Sequence, residues 1–371
     1  MENKQIKNFD KIVKILTIYD FKKIQFYPAS FSYLAVAKEI ENVSNIFLKK
    51  KHLLFYYSLF PKLYSILFSS KLRKLFNIFY LNRYFKYEDL NIFFKESDIK
   101  KFIKSKIIIK EKKKFKCDFS FVPYKNLIFV RDKNLSYHGW FEPKKNLDKV
   151  WMGADTIIFL KFLEDFLKRK NFFKNALEIG SGTGAIMLSL SNNFKSCSGV
   201  DINKKAINFS FLNSKINKIK NYKIFKSNIF QNVKGRYDLV ISNPWFVDLK
   251  KGGLELLPKI VQGLDKYLNK NGTCLLIMNS YYKNKRDTLE DYFSKLLIKK
   301  NYDVNLYTNG IFYEFERSND YKKYKVDYAI SYCVEIKIKG SGILKKFDAN
   351  FLRKTRDRIF LIFLKFRNKF Y

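Results

Sequence analysis

From residue 175 onward, short apolar runs bounded by polar turns alternate with stretches whose apolar positions recur at helical spacing. Residues 175–179, 196–200, 222–225, 237–242 and 273–278 predict buried strands, and 204–214 and 254–267 predict the helices between them. Such alternation predicts a doubly wound α/β sheet, with two further strands at 302–307 and 328–339. Upstream, 1–84 is a helical region rich in Lys and Phe, with amphipathic runs at 53–59 and 71–80. Residues 85–135 then give two short helices, a strand at 107–110, a charged turn at 111–114 and strand-like runs at 115–122 and 126–130. That order predicts a small winged-helix-like unit. The α/β domain spans 149–340, and 341–371 is a basic tail whose apolar run at 359–364 predicts a packed helix. No internal repeat is present.

Composition narrows the picture. The chain has 371 residues and is 47% hydrophobic, enough to bury a core and to set aside disorder as its main state. Its charge is +39, from 73 basic and 34 acidic residues, yet only 11 of the basic residues are Arg. A phosphate reader enriches Arg for its bidentate fork, so the lysine excess reflects coding bias as readily as nucleic acid. In the winged unit, Lys100, Lys101, Lys104 and Lys112–Lys114 fit a phosphate backbone or a merely solvated face. Cys117, Cys197, Cys274 and Cys333 lie far apart, and the two histidines, His52 and His138, give no metal-ligand spacing. No metal site is expected. With no signal peptide and no apolar stretch long enough to span a bilayer, a soluble cytoplasmic protein is expected, without a membrane partner.

The chemistry concentrates where strands end. The first predicted strand of the sheet runs into Glu178-Ile-Gly180-Ser-Gly182-Thr-Gly184, an acidic residue followed by three glycines at alternate positions. Glycine there permits a tight turn and a ligand close to the backbone. Asp201, seventeen residues beyond Gly184, stands at the tip of the second strand, where a carboxylate accepts both ribose hydroxyls of an adenosine. A dinucleotide site has the same outline. Against it stand Glu178, suited to a ligand amine, and the absence of the spacing that seats a pyrophosphate on a helix N-terminus. A cationic adenosyl ligand fits better. After the fourth strand comes Asn243-Pro244-Trp245-Phe246. An Asn-Pro turn offers a side-chain amide oxygen and a backbone carbonyl to the two hydrogens of one planar NH2 group, and Phe246 can stack on that group.

These motifs resemble those of class I S-adenosylmethionine-dependent methyltransferases of the small methyltransferase domain type, similar to release-factor glutamine and ribosomal RNA guanine N2-methyltransferases. The resemblance covers residues 149–339. It implies a Rossmann-like sheet, mostly parallel with an antiparallel last strand, and S-adenosyl-L-methionine as cofactor. It implies cofactor contacts from Glu178, Gly180, Ser181, Gly182 and Gly184 at the methionine end. Asp201 and Ile202 stand at the ribose, and Asn228 and Ile229 at the adenine. Asp155 and Thr156 belong to the segment leading into the first helix of the domain. Asn243, Pro244, Trp245 and Phe246 align with the catalytic Asn-Pro-Pro-(Tyr/Phe) turn. In two places the chain departs from the pattern: Asn228 replaces a carboxylate, and Trp245 replaces the second proline.

The implied activity is N-methylation of a planar amino or amide group in RNA or a ribosome-associated protein. A small-molecule methyltransferase and a non-catalytic RNA-binding relative remain open beside it, as does the oligomeric state. Trp140, Trp151 and the aromatic, lysine-bearing segment 309–325 admit both packing and substrate-facing readings.

Overall fold

The computed structural model describes residues 3–24, 68–133, 149–169, 173–244, 254–312 and 323–348. Its contacts divide the chain into two units. One holds Met1–Ala154 with Gly182–Ser189 and Asn203–Lys220; the other holds Asp155–Ser181, Leu190–Ile202 and Asn221–Tyr371. The expected helix at 53–59, His52, the stretch from His138 to Trp140, Trp245, Phe246 and the apolar run at 359–364 lie outside the described residues.

In the first unit, α1 (Asn3–Ile18) and α2 (Ser70–Leu75), which continues as a π-helical turn over Phe76–Tyr80, carry the apolar spacing of the helical region. Two short helices follow, α3 (Glu88–Asn91) and α4 (Glu96–Lys104). Next come a hairpin of β1 (Ile108–Glu111) with β2 (Lys114–Cys117) and a second of β3 (Phe119–Tyr124) with β4 (Leu127–Asp132). The many Phe side chains make this core aromatic. Phe9 meets Phe119 edge to face at 5.1 Å between centroids, and Phe79 meets Phe121 at 5.3 Å. The turn between β1 and β2 is Lys112-Lys113, with Lys112 at φ +55°. On α4, Lys100 pairs with Glu96 at 2.7 Å and Lys101 lies 3.6 Å from Asp98. Two of the three lysines expected on that face therefore have carboxylates of their own helix beside them.

The second unit contains β5 (Phe173–Ile179), β6 (Phe194–Asp201), β7 (Tyr222–Lys226), β8 (Tyr237–Ser242), β9 (Leu268–Lys283), β11 (Asp303–Phe312), β12 (Val326–Lys337) and β13 (Leu344–Asp348). They form one sheet in the order β13-β11-β12-β9-β8-β5-β6-β7, and the short β10 (Arg286–Asp287) pairs with the end of β9. Every neighbouring pair on this path is parallel except at β12, which runs antiparallel to both β9 and β11. The sheet is thus mainly parallel, with the antiparallel strand inserted near one end. Helices α8 (Leu257–Tyr267) and α9 (Thr288–Leu297) bury Ile260, Leu264, Leu289 and Phe293 with Leu177, Val240 and Leu306 on one face. Tyr307 points to the other face, where Phe162 of α5 (Ala154–Lys168) meets it at 5.2 Å.

Strands run longer than the sequence pattern predicts. The one expected at 273–278 extends over Leu268–Lys283, because β12 supplies a partner along it as far as Lys283. Ahead of the expected helix at 359–364, the tail starts as β13, parallel to the open edge of β11. The Asp303 carboxylate receives the incoming backbone N–H groups of Ser341 at 2.7 Å and Ile343 at 3.2 Å. Among the described residues, no helix is long and apolar enough to cross a membrane.

At the base of the sheet, the Asp238 carboxylate accepts backbone N–H groups of Lys174 at 3.0 Å and Asn175 at 3.1 Å, and Nδ2 of Asn269 at 2.6 Å. It ties the starts of β5, β8 and β9 in register. Asp238→Ala is expected to lower unfolding free energy by about 2 kcal/mol, read by urea denaturation.

Candidate active site

The chain reverses its progression across the sheet at β5. Strands β5, β6 and β7 step outward in one direction, and β8 then returns to the other side of β5. A crevice opens beyond the carboxyl ends of strands at such a switch point. Register decides which residues share it. Ile179 pairs with Val200 of β6 and with Ser242 of β8. One residue further on, Asp201, Gly180 and Asn243 therefore stand at the same level on three adjacent strands. Asp201 also pairs with Lys226 of β7, so Asn228 ends the row two residues beyond. Neighbouring strands are spaced by about 4.8 Å, so Asp201 and Asn243 stand about 10 Å apart across Gly180.

The glycine loop leaves β5 with Gly180 at φ +71°, Gly182 at +54° and Gly184 at +74°. Val200 O accepts the N–H of Gly180 at 2.8 Å, the N–H of Ser181 at 3.0 Å and the Ser181 hydroxyl at 3.2 Å. The first bend is thereby anchored one residue before Asp201. Among the described residues, a side chain added at Gly180 would meet nothing within 4 Å, and one at Gly182 would touch the carbonyl oxygen of Trp151 at 3.9 Å. Among those residues Gly180 borders open space, where a ligand can meet bare backbone. Gly184 differs: a Cβ there would fall 2.4 Å from Ser210 Oγ of α7 (Lys204–Ile216) and 3.1 Å from Leu188 of α6 (Ala185–Ser189). Its role is close helix packing.

Glu178 is buried at the end of β5. Its charge adds to burial in pushing the Cys197 thiol up to about 12. All four cysteines are buried and none forms a disulfide, and Cys117 is likewise raised to about 12 by burial. Ile202 is exposed beside Asp201. Past β7, Ile229 adopts φ +53°, a left-handed conformation costly for a β-branched residue. Ser227 holds it there: its hydroxyl donates to Ile229 O at 2.9 Å and accepts Asn232 N–H at 3.0 Å. Asn228 is exposed at this corner. An open groove of about 450 Å³ runs from Asn228 and Ile229 to Lys259, Gln262 and Tyr267 of α8.

After β8, Ser242 donates its hydroxyl to Ile179 O at 2.9 Å, and Asn243 Nδ2 donates to Asp155 Oδ2 at 2.6 Å. Asp155 stands in the first turn of α5, with Thr156 buried beside it. Its meeting with Asn243 has no signature in the sequence, since 88 positions separate the two. In the first unit, Trp151 lies under the buried guanidinium of Arg131, 4.0 Å from the ring centroid, and Arg131 NH1 donates to Met152 O at 3.2 Å. Burial pushes Arg131 down to about 10, so it remains a cation at neutral pH. Among the described residues, no group of three His, Cys, Asp or Glu side chains could hold a metal ion.

The chain is similar to known proteins over this part of its length. The family described as the methyltransferase small domain matches residues 155–305. A Methanocaldococcus jannaschii protein named as a protein N5-glutamine methyltransferase is 34% identical over 145 residues, 34% of this chain and 71% of the relative. The release factor glutamine methyltransferase of Fusobacterium nucleatum is 44% identical over 77 residues, 20% of this chain and 22% of that one. Ribosomal RNA small subunit methyltransferase C of Salmonella newport is 29% identical over 107 residues, 28% of this chain and 31% of that one. The chain thus spans less than a third of the last two. Among solved structures, ribosomal protein L11 methylase from Lactobacillus delbrueckii matches at 15% identity and a TM-score of 0.35, over 50% of this chain and 81% of that one. Likeness of that degree says nothing about activity.

The glycines predict a contrast. Alanine at either Gly182 or Gly184 incurs the left-handed penalty of about 1–2 kcal/mol, but only at Gly184 does the new methyl also collide with a neighbour. Gly184→Ala is expected to lose at least about 1 kcal/mol more stability than Gly182→Ala in urea denaturation.

Proposed function

The chain belongs to the methyltransferase small domain family of S-adenosylmethionine-dependent enzymes, and from that premise we propose that it methylates the nitrogen of a planar amide or amino group in the translation apparatus. The observation that carries the reading is the shared level of Asp201, Gly180 and Asn243 at the switch point. The open face of Gly180 among the described residues fits the cofactor, because backbone can approach it there with no side chain between. Glu178, Gly180, Ser181 and Gly182 would hold its amino-acid end, with Thr156 near by and Gly184 closing the loop by packing against the helices behind it. Asp201 and Ile202 would hold the ribose, and Asn228 and Ile229 the adenine. When bound, the cofactor supplies a methyl group already activated on a sulfonium.

The protein then has one main task, to present a nitrogen in line with that methyl. Asn243 suits it through Asp155. A carboxylate only accepts hydrogen bonds, so Asp155 accepts one from the Asn243 NH2 and leaves Asn243 Oδ1 as the acceptor toward the substrate. Oδ1 and the Pro244 carbonyl would receive the two N–H groups of the substrate and turn its lone pair toward the methyl. Asp155 thereby acts as a positioning residue. Trp245 and Phe246, next in the chain, would stack on the planar group. An amide acceptor takes precedence over a base, since the two relatives named for glutamine methylation are 34% and 44% identical, against 29% for the ribosomal RNA enzyme.

Calorimetry with S-adenosylhomocysteine is expected to show binding that Asp201→Ala weakens about tenfold or more. Asn243→Ala should leave that affinity within about twofold while lowering methyl transfer about a hundredfold. Mass spectrometry of ribosomal and associated proteins and of RNA from a strain lacking the gene identifies the acceptor. If no nitrogen-bound methyl group is lost from either fraction, the reading fails.

A further inference from the structure

Helix α7 and the C-cap residue that ends it carry two amides one turn apart, Asn213 and Asn217, and both read the backbone of β4. Asn213 Oδ1 accepts the N–H of Val130 at 2.7 Å, and its Nδ2 donates to Val130 O at 3.0 Å. Asn217 repeats the pattern at Ile128, accepting its N–H at 3.1 Å and donating to its carbonyl at 2.9 Å. The periods match: residues four apart on a helix rise by about 6 Å, and residues two apart on a strand advance by about 6.6 Å. Two side-chain amides thus stand in for the next strand of the sheet.

The two differ in one proton. Asn217 sends its second N–H to Asn213 O of its own helix at 2.9 Å. Asn213 sends its second N–H to Thr183 O at 2.9 Å, the carbonyl between Gly182 and Gly184. Asn213 is fully buried, and its one acceptor and both donors are used, so the amide cannot turn without breaking a bond. We infer that Asn213 is a positioning residue for the cofactor loop: with β4 as its anchor, it holds the Thr183 peptide, and so the bends at Gly182 and Gly184, in the shape that receives the ligand. The hairpin of β3 and β4 is then part of the apparatus that binds the cofactor, although it lies well before the methyltransferase domain in sequence. This inference rests on the reading of the glycine loop as the cofactor cradle.

The test uses the full chain and S-adenosylhomocysteine, with hydrogen exchange of the ligand-free protein as a second readout. Asn213→Ala is expected to weaken binding about tenfold and to speed exchange in the peptide spanning Gly182–Gly184. Asn217→Ala removes the equivalent grip on β4 and should leave affinity within about twofold and exchange in that peptide unchanged. Should Asn213→Ala not fold, Asn213→Ser carries the same expectation at lower temperature. Wild-type affinity in the Asn213 variants, or equal losses in the Asn213 and Asn217 variants, would overturn the inference and leave both amides structural. A wild-type chain that does not bind S-adenosylhomocysteine would instead overturn the reading of the loop on which it rests.

Discussion

The parallel pairing of β5 with β6 on one side and β8 on the other is the constraint from which the rest of the site follows. Three strands end together because Ile179 pairs level with Val200 and Ser242. A slip of one residue at either ladder would move Asp201 or Asn243 out of line with Gly180 and turn its side chain to the opposite face. Buried parallel strands resist such a slip. Leu177, Val200 and Val240 sit in one apolar cluster with α8 and α9, and a shifted register would drive polar neighbours into it. The Asp238 carboxylate holds the same strands at their opposite ends.

The hydrogen bonds around this edge act on conformation more than on stability. Ser181 and the backbone of Gly180 and Ser181 converge on a single carbonyl, Val200 O. Ser227 braces a left-handed isoleucine that would otherwise relax. Asp155 settles which end of the Asn243 amide is occupied. Each of these small polar groups fixes the direction of one backbone or side-chain dipole.

Much of this was legible in the chain itself. Periodicity placed the strands of the α/β sheet, because buried parallel strands must be continuous apolar runs, and the alternate glycines marked a loop that does adopt three left-handed bends. What stayed hidden was long-range and polar. Asp155 was expected beside the cofactor from its place in a motif, and nothing local announces that it meets Asn243. Asn213 falls inside the predicted helix at 204–214 and Asn217 just past it, and neither carries a local signal of its role, since the partner strand lies 83 to 89 positions earlier. Strand lengths were underread for a related reason: β9 and β13 owe their extent to neighbours available in the folded sheet, which a local window does not contain. The aromatic core of the first unit was foreseen only as amphipathic helices, because which phenylalanines meet depends on packing between elements.

The amide pair on α7 has a bearing on solubility as well. A lone two-stranded hairpin offers the outer strand's N–H and C=O groups to any passing extended chain, and β4 is apolar as far as Val130. Asn213 and Asn217 occupy the groups of Ile128 and Val130 with side chains that end in a helix, from which no further strand can be added. In the folded chain the backbone groups of Ile128 and Val130 are therefore not available to a further strand.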